Sequence, residues 1–272
     1  MNSSDEIKLL LSKKELFLFD LDGTLFNTLG DLAPAVNYAM KHFGLSTHSV
    51  DLIQTFIGNG ALNLVRRAIA AHFIKNDLGE PKKAGSGCDF EKSIREEKIV
   101  AEALTREGYT EEKIAEIYKV YTEYYWDHCI EKTEPYEGVL ESIKKINAEN
   151  KRAAMLTNKP FAPSKKILQK FGLENAFAVI LCGDTTPERK PSPAGIFEIL
   201  RQTGVAPEKA VMIGDDTPDV MAARNAHIDC ITLLEGFGKC ENLLPLEPRY
   251  RVGHIKDLIG FFHLISMLFF LG

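Results

Sequence analysis

Phe17-Leu18-Phe19-Asp20-Leu21-Asp22-Gly23-Thr24-Leu25 is the stretch on which the reading of this chain turns. A short apolar run ends in two aspartates one residue apart, and a glycine follows. Such a run, bounded by a turn signal, reads as a buried strand. Asp20 and Asp22 then stand at its carboxyl end, where open α/β sheets place their ligand sites. Gly23 lets the chain leave the strand at backbone angles that other residues resist. With each residue type used roughly 5–7% of the time, Asp-x-Asp-Gly-Thr arises by chance about once in 10⁵ starting positions. The chain has only 272 residues, so the match calls for a chemical reason.

Upstream, Met1 to Lys14 is acidic early and has only Leu9-Leu10-Leu11 as an apolar segment, which does not make a signal peptide. Downstream, helical spacing begins near Asp31, with Leu32, Val36, Ala39, Met40 and Phe43, and Gly44 stops it. A second helix is predicted near Ser49 to Ile57. Gly58-Asn59-Gly60 breaks it, and Leu62, Val65, Ile69 and Phe73 mark a third. From Lys75 to Cys88 the composition is that of a loop. Asp89 starts a helix through Glu107, and Thr110 caps another that carries Ile114, Ile117, Tyr118, Tyr121, Tyr125 and Trp126. No basic residues interleave these aromatics, so they read as packing and not as a base-stacking platform. No strand is predicted between Thr28 and Thr133.

Beyond a hinge-like turn at Glu134 to Gly138 the pattern changes. Helices at Val139 to Asn147, Pro163 to Phe171, Pro193 to Thr203 and Pro218 to Ala226 alternate with strands at Arg152 to Leu156, Ala178 to Leu181, Ala210 to Ile213 and Cys230 to Leu234. Alternation of this kind implies right-handed crossovers and a parallel sheet. The fold class is therefore α/β: residues 1–27 and 134–272 form a parallel-sheet core, and residues 28–133 form an all-α insert after its first strand.

Composition narrows the function. Lys and Arg number 33 against 38 Asp and Glu, a net charge of −5. The chain carries no basic tract of the kind that marks nucleic-acid binders. Its five cysteines are scattered without Cys-x-x-Cys, which suits a reducing compartment, and a cytoplasmic location is expected. The seven histidines have no zinc spacing. Leu258 to Gly272 is almost wholly apolar yet shorter than the roughly 18–20 residues of a spanning helix. It reads as a packed or subunit-interface helix, with membrane contact as the alternative, in a monomer or homodimer.

Three further strand ends carry polar groups: Thr157-Asn158-Lys159-Pro160; Gly183-Asp184 with Arg189-Lys190-Pro191-Ser192-Pro193; and Gly214-Asp215-Asp216-Thr217-Pro218-Asp219. Ser192 and Thr217, each before a proline, are expected to cap the helices that follow. A parallel sheet brings Asp20, Asp22, Thr157, Lys190, Asp215 and Asp219 to one edge. So many carboxylates ionise together only if cations share the site. Lys190 supplies one positive charge, and oxygen-only ligands favour Mg²⁺ for the rest. That metal favours a phosphorylated substrate, held by the Thr157 hydroxyl, the Lys190 ammonium and backbone N–H groups after Asp20. An aspartate can attack phosphorus and form an acyl phosphate. A second, two residues on, can pass a proton to the leaving oxygen and later take one from water.

Asp20-Leu21-Asp22-Gly23-Thr24, Thr157, Lys190-Pro191 and Gly214-Asp215-Asp216-x-x-Asp219 resemble, in order and spacing, the four motifs of the haloacid-dehalogenase-like hydrolases. The resemblance implies a Rossmann-like core with a mobile helical cap. It implies Asp20 as nucleophile and Asp22 as acid/base whose backbone carbonyl also touches Mg²⁺. Thr157, Asn158 and Gly23 would bind phosphate, and Lys190 would bridge nucleophile and phosphate. Asp215 would ligate the metal, with Asp216 and Asp219 behind it. Thr157-Asn158-Lys159-Pro160 and Phe56 to Ala68 resemble the phosphoglycolate phosphatase branch. This implies Gly58, Asn59 and Gly60 as a substrate loop of the cap, and Arg67 either as a carboxylate ligand or as a surface charge. The resemblance admits other readings, namely a phosphosugar mutase of the β-phosphoglucomutase type, another small-molecule phosphatase or pyrophosphatase, or a phosphate-binding module without turnover. Three departures stand out. Asn27 replaces a frequent aspartate and is expected to cap a helix. Asp216 replaces a frequent serine. The stretch from Lys75 to Arg106 is long.

Overall fold

The computed structural model describes residues 4–78 and 96–258. Elements run α1 (Ser4–Ser12), β1 (Leu16–Phe19), β2 (Phe26–Asn27), α2 (Leu29–His42), α3 (Val50–Phe56), α4 (Ala61–Leu78), α5 (Glu97–Arg106), α6 (Glu111–His128), β3 (Glu134–Pro135), α7 (Val139–Ala148), β4 (Arg152–Leu156), α8 (Phe161–Lys170), β5 (Val179–Leu181), α9 (Ala194–Thr203), β6 (Ala210–Gly214), α10 (Thr217–Asn225), β7 (Asp229–Leu233), α11 (Cys240–Leu243) and β8 (Tyr250–Val252). The chain divides into two compact units, with the breaks between Asn27 and Thr28 and between Thr133 and Glu134.

The first unit is built on a six-stranded sheet in the order β5-β4-β1-β6-β7-β8, every pair parallel. β1 lies in the middle, so its residues must be apolar on both faces, as Leu16-Phe17-Leu18-Phe19 are. Leu16 and Leu18 point to one side, into a cluster with Ile196 and Ile199 of α9 and Ala222 and Ala223 of α10. The chain goes from β1 outward through β4 to β5, then returns past β1 to β6, β7 and β8. That reversal beside β1 is the switch point at which such sheets open a crevice at their carboxyl ends.

Several local features differ from the sequence expectation. Ile7, Leu10 and Leu11 bury one face of α1, a helix too short for its periodicity to stand out. Glu134 and Pro135 are not a free turn; they pair antiparallel with Asn27 and Phe26. Asn27 therefore lies in a strand, and Thr28 occupies the N-cap of α2. The three-residue edge strand β8 carried no readable pattern. α4 continues through Lys75 to Leu78, into the expected loop. The remainder of that loop, the start of the Asp89 helix and nearly all of the apolar tail (259–272) lie outside the described residues.

The second unit, Thr28 to Thr133, is helical throughout its described residues and has its own core, in which Met40, Phe56, Ile69, Leu104, Ile117 and Tyr121 are buried. Its first and last turns are tied by one buried carboxylate. Asp31 accepts from the backbone N–H of Lys132 (2.9 Å), the N–H of Thr133 (2.8 Å) and the Thr133 hydroxyl (2.8 Å). Three bonds to an ionised acceptor make this a strong closure.

Candidate active site

Asp20 follows β1 directly, and its N–H donates to the Ile213 carbonyl of β6 (3.1 Å), which holds the backbone in line with the sheet. Asp215 follows β6, Asp219 lies in the first turn of α10, and Lys190 comes from the long connection after β5. The sheet brings them together. Lys190 Nζ sits 2.9 Å from Asp20 Oδ1 and 2.6 Å from Asp219 Oδ1, with the lysine side chain only 2% exposed. One carboxylate oxygen each from Asp20, Asp215 and Asp219 lie within 4.8 Å of one another.

Asp215 is held from three directions. The Thr24 hydroxyl donates to Oδ1 (2.6 Å), and the N–H groups of Phe237 (2.7 Å) and Gly238 (3.2 Å) donate to Oδ2. Glycines give it the room: a Cβ would come within 2.2 Å of Asp215 Oδ2 at Gly23, and within 2.3 Å of the Asp215 side chain at Gly236. Gly23 also has φ +84°, which a side chain would strain. Its N–H donates to the Phe26 carbonyl (3.0 Å).

The Asn158 amide donates to the Lys190 carbonyl (2.9 Å), and its Oδ1 accepts from the Lys190 N–H (2.9 Å). Both ends of the side chain clamp the lysine's backbone. Thr157 is buried at the end of β4, its hydroxyl accepting from the Lys159 N–H (3.2 Å). Asp216, expected behind the metal, is the N-cap of α10: its side chain accepts from the Thr217 N–H (2.8 Å), and Asp219 Oδ2 accepts from the Asp216 N–H (3.1 Å). The cap is thus Asp216 and not Thr217, in a reciprocal capping box. Ser192 Oγ accepts from the Ala194 N–H (3.2 Å), and Pro193 occupies the N-cap of α9.

Lys190 is not the sole lysine at the site. Lys159 Nζ lies 3.0 and 3.2 Å from the two carboxylate oxygens of Asp22, and its side chain is 3% exposed. The two aspartates of the Asp-x-Asp stretch thus have different cations, Lys190 on Asp20 and Lys159 on Asp22. Asp219, expected behind the metal, belongs within the close cluster of Asp20, Asp215 and Asp219.

Electrostatics follow from burial. Burial is the largest influence on Asp20 and raises it from 3.8 to about 6, partly offset by Lys190 and reinforced by Asp219. Asp215 is pushed well above the ordinary carboxylate range, first by burial and then by Asp219 and Asp20. Asp219 is raised by burial against the pull of Lys190. Burial acts to lower Lys190, but Asp20 and Asp219 outweigh it and hold the ammonium above its usual value. Burial pushes the Cys182 and Cys230 thiols up to about 12, so neither offers a thiolate at neutral pH.

Three carboxylates that resist ionisation, Asp215 and Asp219 buried and Asp20 half-buried, mark a deficit of positive charge. The all-oxygen donor set fits a hard divalent cation held by Asp20, Asp215 and Asp219. A raised carboxylate binds its proton more tightly folded than unfolded, so without metal the protein loses stability as pH climbs from about 4 through 6. Lys190, whose shift lies at alkaline pH, does not change that sign. The stabilisation conferred by a saturating divalent cation is therefore expected to grow between pH 5 and 7, by on the order of 2 kcal/mol. Urea unfolding with metal and with EDTA at several pH values measures it; a metal effect that shrinks with rising pH contradicts the assignment.

In the helical unit, Gly58, Asn59 and Gly60 form the turn between α3 and α4, with positive φ at both glycines. Asn59 Nδ2 reaches Glu97 Oε1 (3.4 Å). Arg67 is buried and donates to the Phe56 carbonyl (2.8 Å), tying α4 to the end of α3; it is not a surface charge. It lines a cavity of about 330 Å³ between α4, α5 and α6.

The family model of the haloacid dehalogenase-like hydrolases matches residues 17–233. The chain belongs to this family. This hydrolase has relatives of named activity. It is 32% identical to the phosphoglycolate phosphatase of Psychrobacter arcticus, over 91% of this chain and 95% of that protein. It is also 32% identical to the phosphoglycolate phosphatase of Colwellia psychrerythraea, over 92% and 97% of the two chains. The crystal structure of a predicted phosphoglycolate phosphatase from Haemophilus somnus superposes with a TM-score of 0.74 at 26% identity, covering 91% of this hydrolase and 97% of that chain.

Proposed function

We propose that this hydrolase is a Mg²⁺-dependent phosphomonoesterase that cleaves 2-phosphoglycolate through an aspartyl phosphate on Asp20. The observation that carries the reading is Lys190, bridging Asp20 (2.9 Å) and Asp219 (2.6 Å) at the sheet's switch point. The names of the relatives support the substrate. Asp20 Oδ attacks phosphorus, the bond from phosphorus to the ester oxygen breaks, and that oxygen takes a proton from Asp22. Asp22 then removes a proton from water, whose oxygen attacks the same phosphorus and returns the Asp20 carboxylate and free phosphate. Lys190 keeps the nucleophile ionised and faces the phosphoryl oxygens, and the Thr157 hydroxyl binds another of them. Asn158 fixes the backbone from which Lys190 extends. When bound, the cation neutralises charge on the carboxylates and the phosphoryl group. The helical unit, with Gly58, Asn59, Gly60 and Arg67, is the part proposed to select the substrate.

Among the described residues no helix is long and apolar enough to cross a membrane, and a small phosphorylated metabolite in the cytoplasm is the partner proposed. Phosphate release from a panel of small phosphate esters, with Mg²⁺ and with EDTA, tests the reading. A preference for 2-phosphoglycolate and a loss of about 10³-fold or more on chelation are expected. Activity indifferent to EDTA, or no preference for that ester, contradicts it.

A further inference from the structure

We infer that Lys159 is the residue that selects a leaving group bearing a negative charge, an inference that rests on the phosphomonoesterase reading above. Asp22 must stand beside the ester oxygen to give it a proton. In 2-phosphoglycolate the carboxylate sits on the carbon next to that oxygen, so it arrives against Asp22. Once Asp22 has given up that proton, two carboxylates stand that close, and they repel each other unless a cation lies between or beside them. Lys159 supplies that cation, 3.0 and 3.2 Å from the two Asp22 oxygens.

The placement is built into the fold. Lys159 follows the end of β4, its N–H donates to Thr157 Oγ1 (3.2 Å), and its carbonyl accepts from the Gly183 N–H (2.9 Å). Both bonds fix the backbone from which the ammonium reaches Asp22. Lys190, by contrast, is committed to Asp20 and Asp219, on the side where phosphorus is attacked. The division of labour is therefore one lysine for the phosphoryl group and one for the anion carried by the leaving group. Arg67, the candidate for that second anion by resemblance, is engaged with the Phe56 carbonyl inside the helical unit.

The test compares Lys159→Met and Lys159→Arg with the unaltered enzyme on 2-phosphoglycolate and on ethyl phosphate, which has a leaving group of similar size without the carboxylate. A charge-assisted contact restricted to one substrate predicts a loss in kcat/KM for 2-phosphoglycolate at least 30-fold larger than for ethyl phosphate in Lys159→Met. The extra loss should reside in KM, and Lys159→Arg should recover most of the selectivity. Equal losses on both esters would make Lys159 a support for Asp22 alone and overturn the inference while leaving the phosphomonoesterase reading intact. An unaltered enzyme that cleaves ethyl phosphate as well as it cleaves 2-phosphoglycolate overturns the substrate reading itself, and the inference with it.

Discussion

Asp20→Asn is expected to lower phosphate release by about 10⁴-fold or more while leaving the fold intact. The amide keeps the shape of the carboxylate but cannot attack phosphorus, and no other buried group at this edge replaces it. Asp22 is held by Lys159, Asp215 by Thr24 and two backbone N–H groups, and the thiols of Cys182 and Cys230 are protonated. The change should also relieve strain. Burial raises Asp20 to about 6, so keeping this side chain ionised at neutral pH costs the folded protein stability that the amide does not cost. In EDTA the variant should therefore unfold at a temperature no lower than the parent. Activity within tenfold of the parent would move the nucleophile elsewhere.

Lys190→Met is expected to lower kcat/KM by about 10³-fold and to destabilise the protein by about 3 kcal/mol. Asp20 and Asp219 would lose a shared cation at 2.9 and 2.6 Å, leaving two carboxylates beside the buried Asp215 without the ammonium that offsets them. The two effects are separable. Divalent metal should restore much of the stability, because it screens the carboxylates, but little of the rate, because the cation that faces the phosphoryl group is gone. Urea unfolding and steady-state kinetics on the same samples report both. A loss of activity under tenfold would mean that another cation carries this role.

Most of the site was legible because parallel sheets put strand ends on one edge. The apolar run into Asp20, and the carboxylates after the strand at Ala210, sufficed to predict that Asp20, Lys190, Asp215 and Asp219 meet. What could not be read was direction. Lys159 stood in a stretch already singled out, but nothing in Thr157-Asn158-Lys159-Pro160 says that its ammonium turns to Asp22. Nor does the residue type of Asn158 say that both ends of its side chain clamp the Lys190 backbone. Asp216 also caps a helix, a role settled by competition for the first free N–H groups of α10. The loop at Gly236 to Gly238 acts through backbone N–H groups and missing side chains, which leave no chemical signature in a sequence. The α1 helix and the β8 strand are short enough that tertiary packing, not local pattern, decides them.

A covalent aspartyl phosphate on Asp20 is trapped most directly by rapid acid quenching of the enzyme with ³²P-labelled 2-phosphoglycolate and Mg²⁺. Label is expected on the protein before free phosphate accumulates, on the peptide carrying Asp20, and not at all in Asp20→Asn. Phosphate released at full rate with no protein-bound label at any time, or label on a different residue, would contradict it.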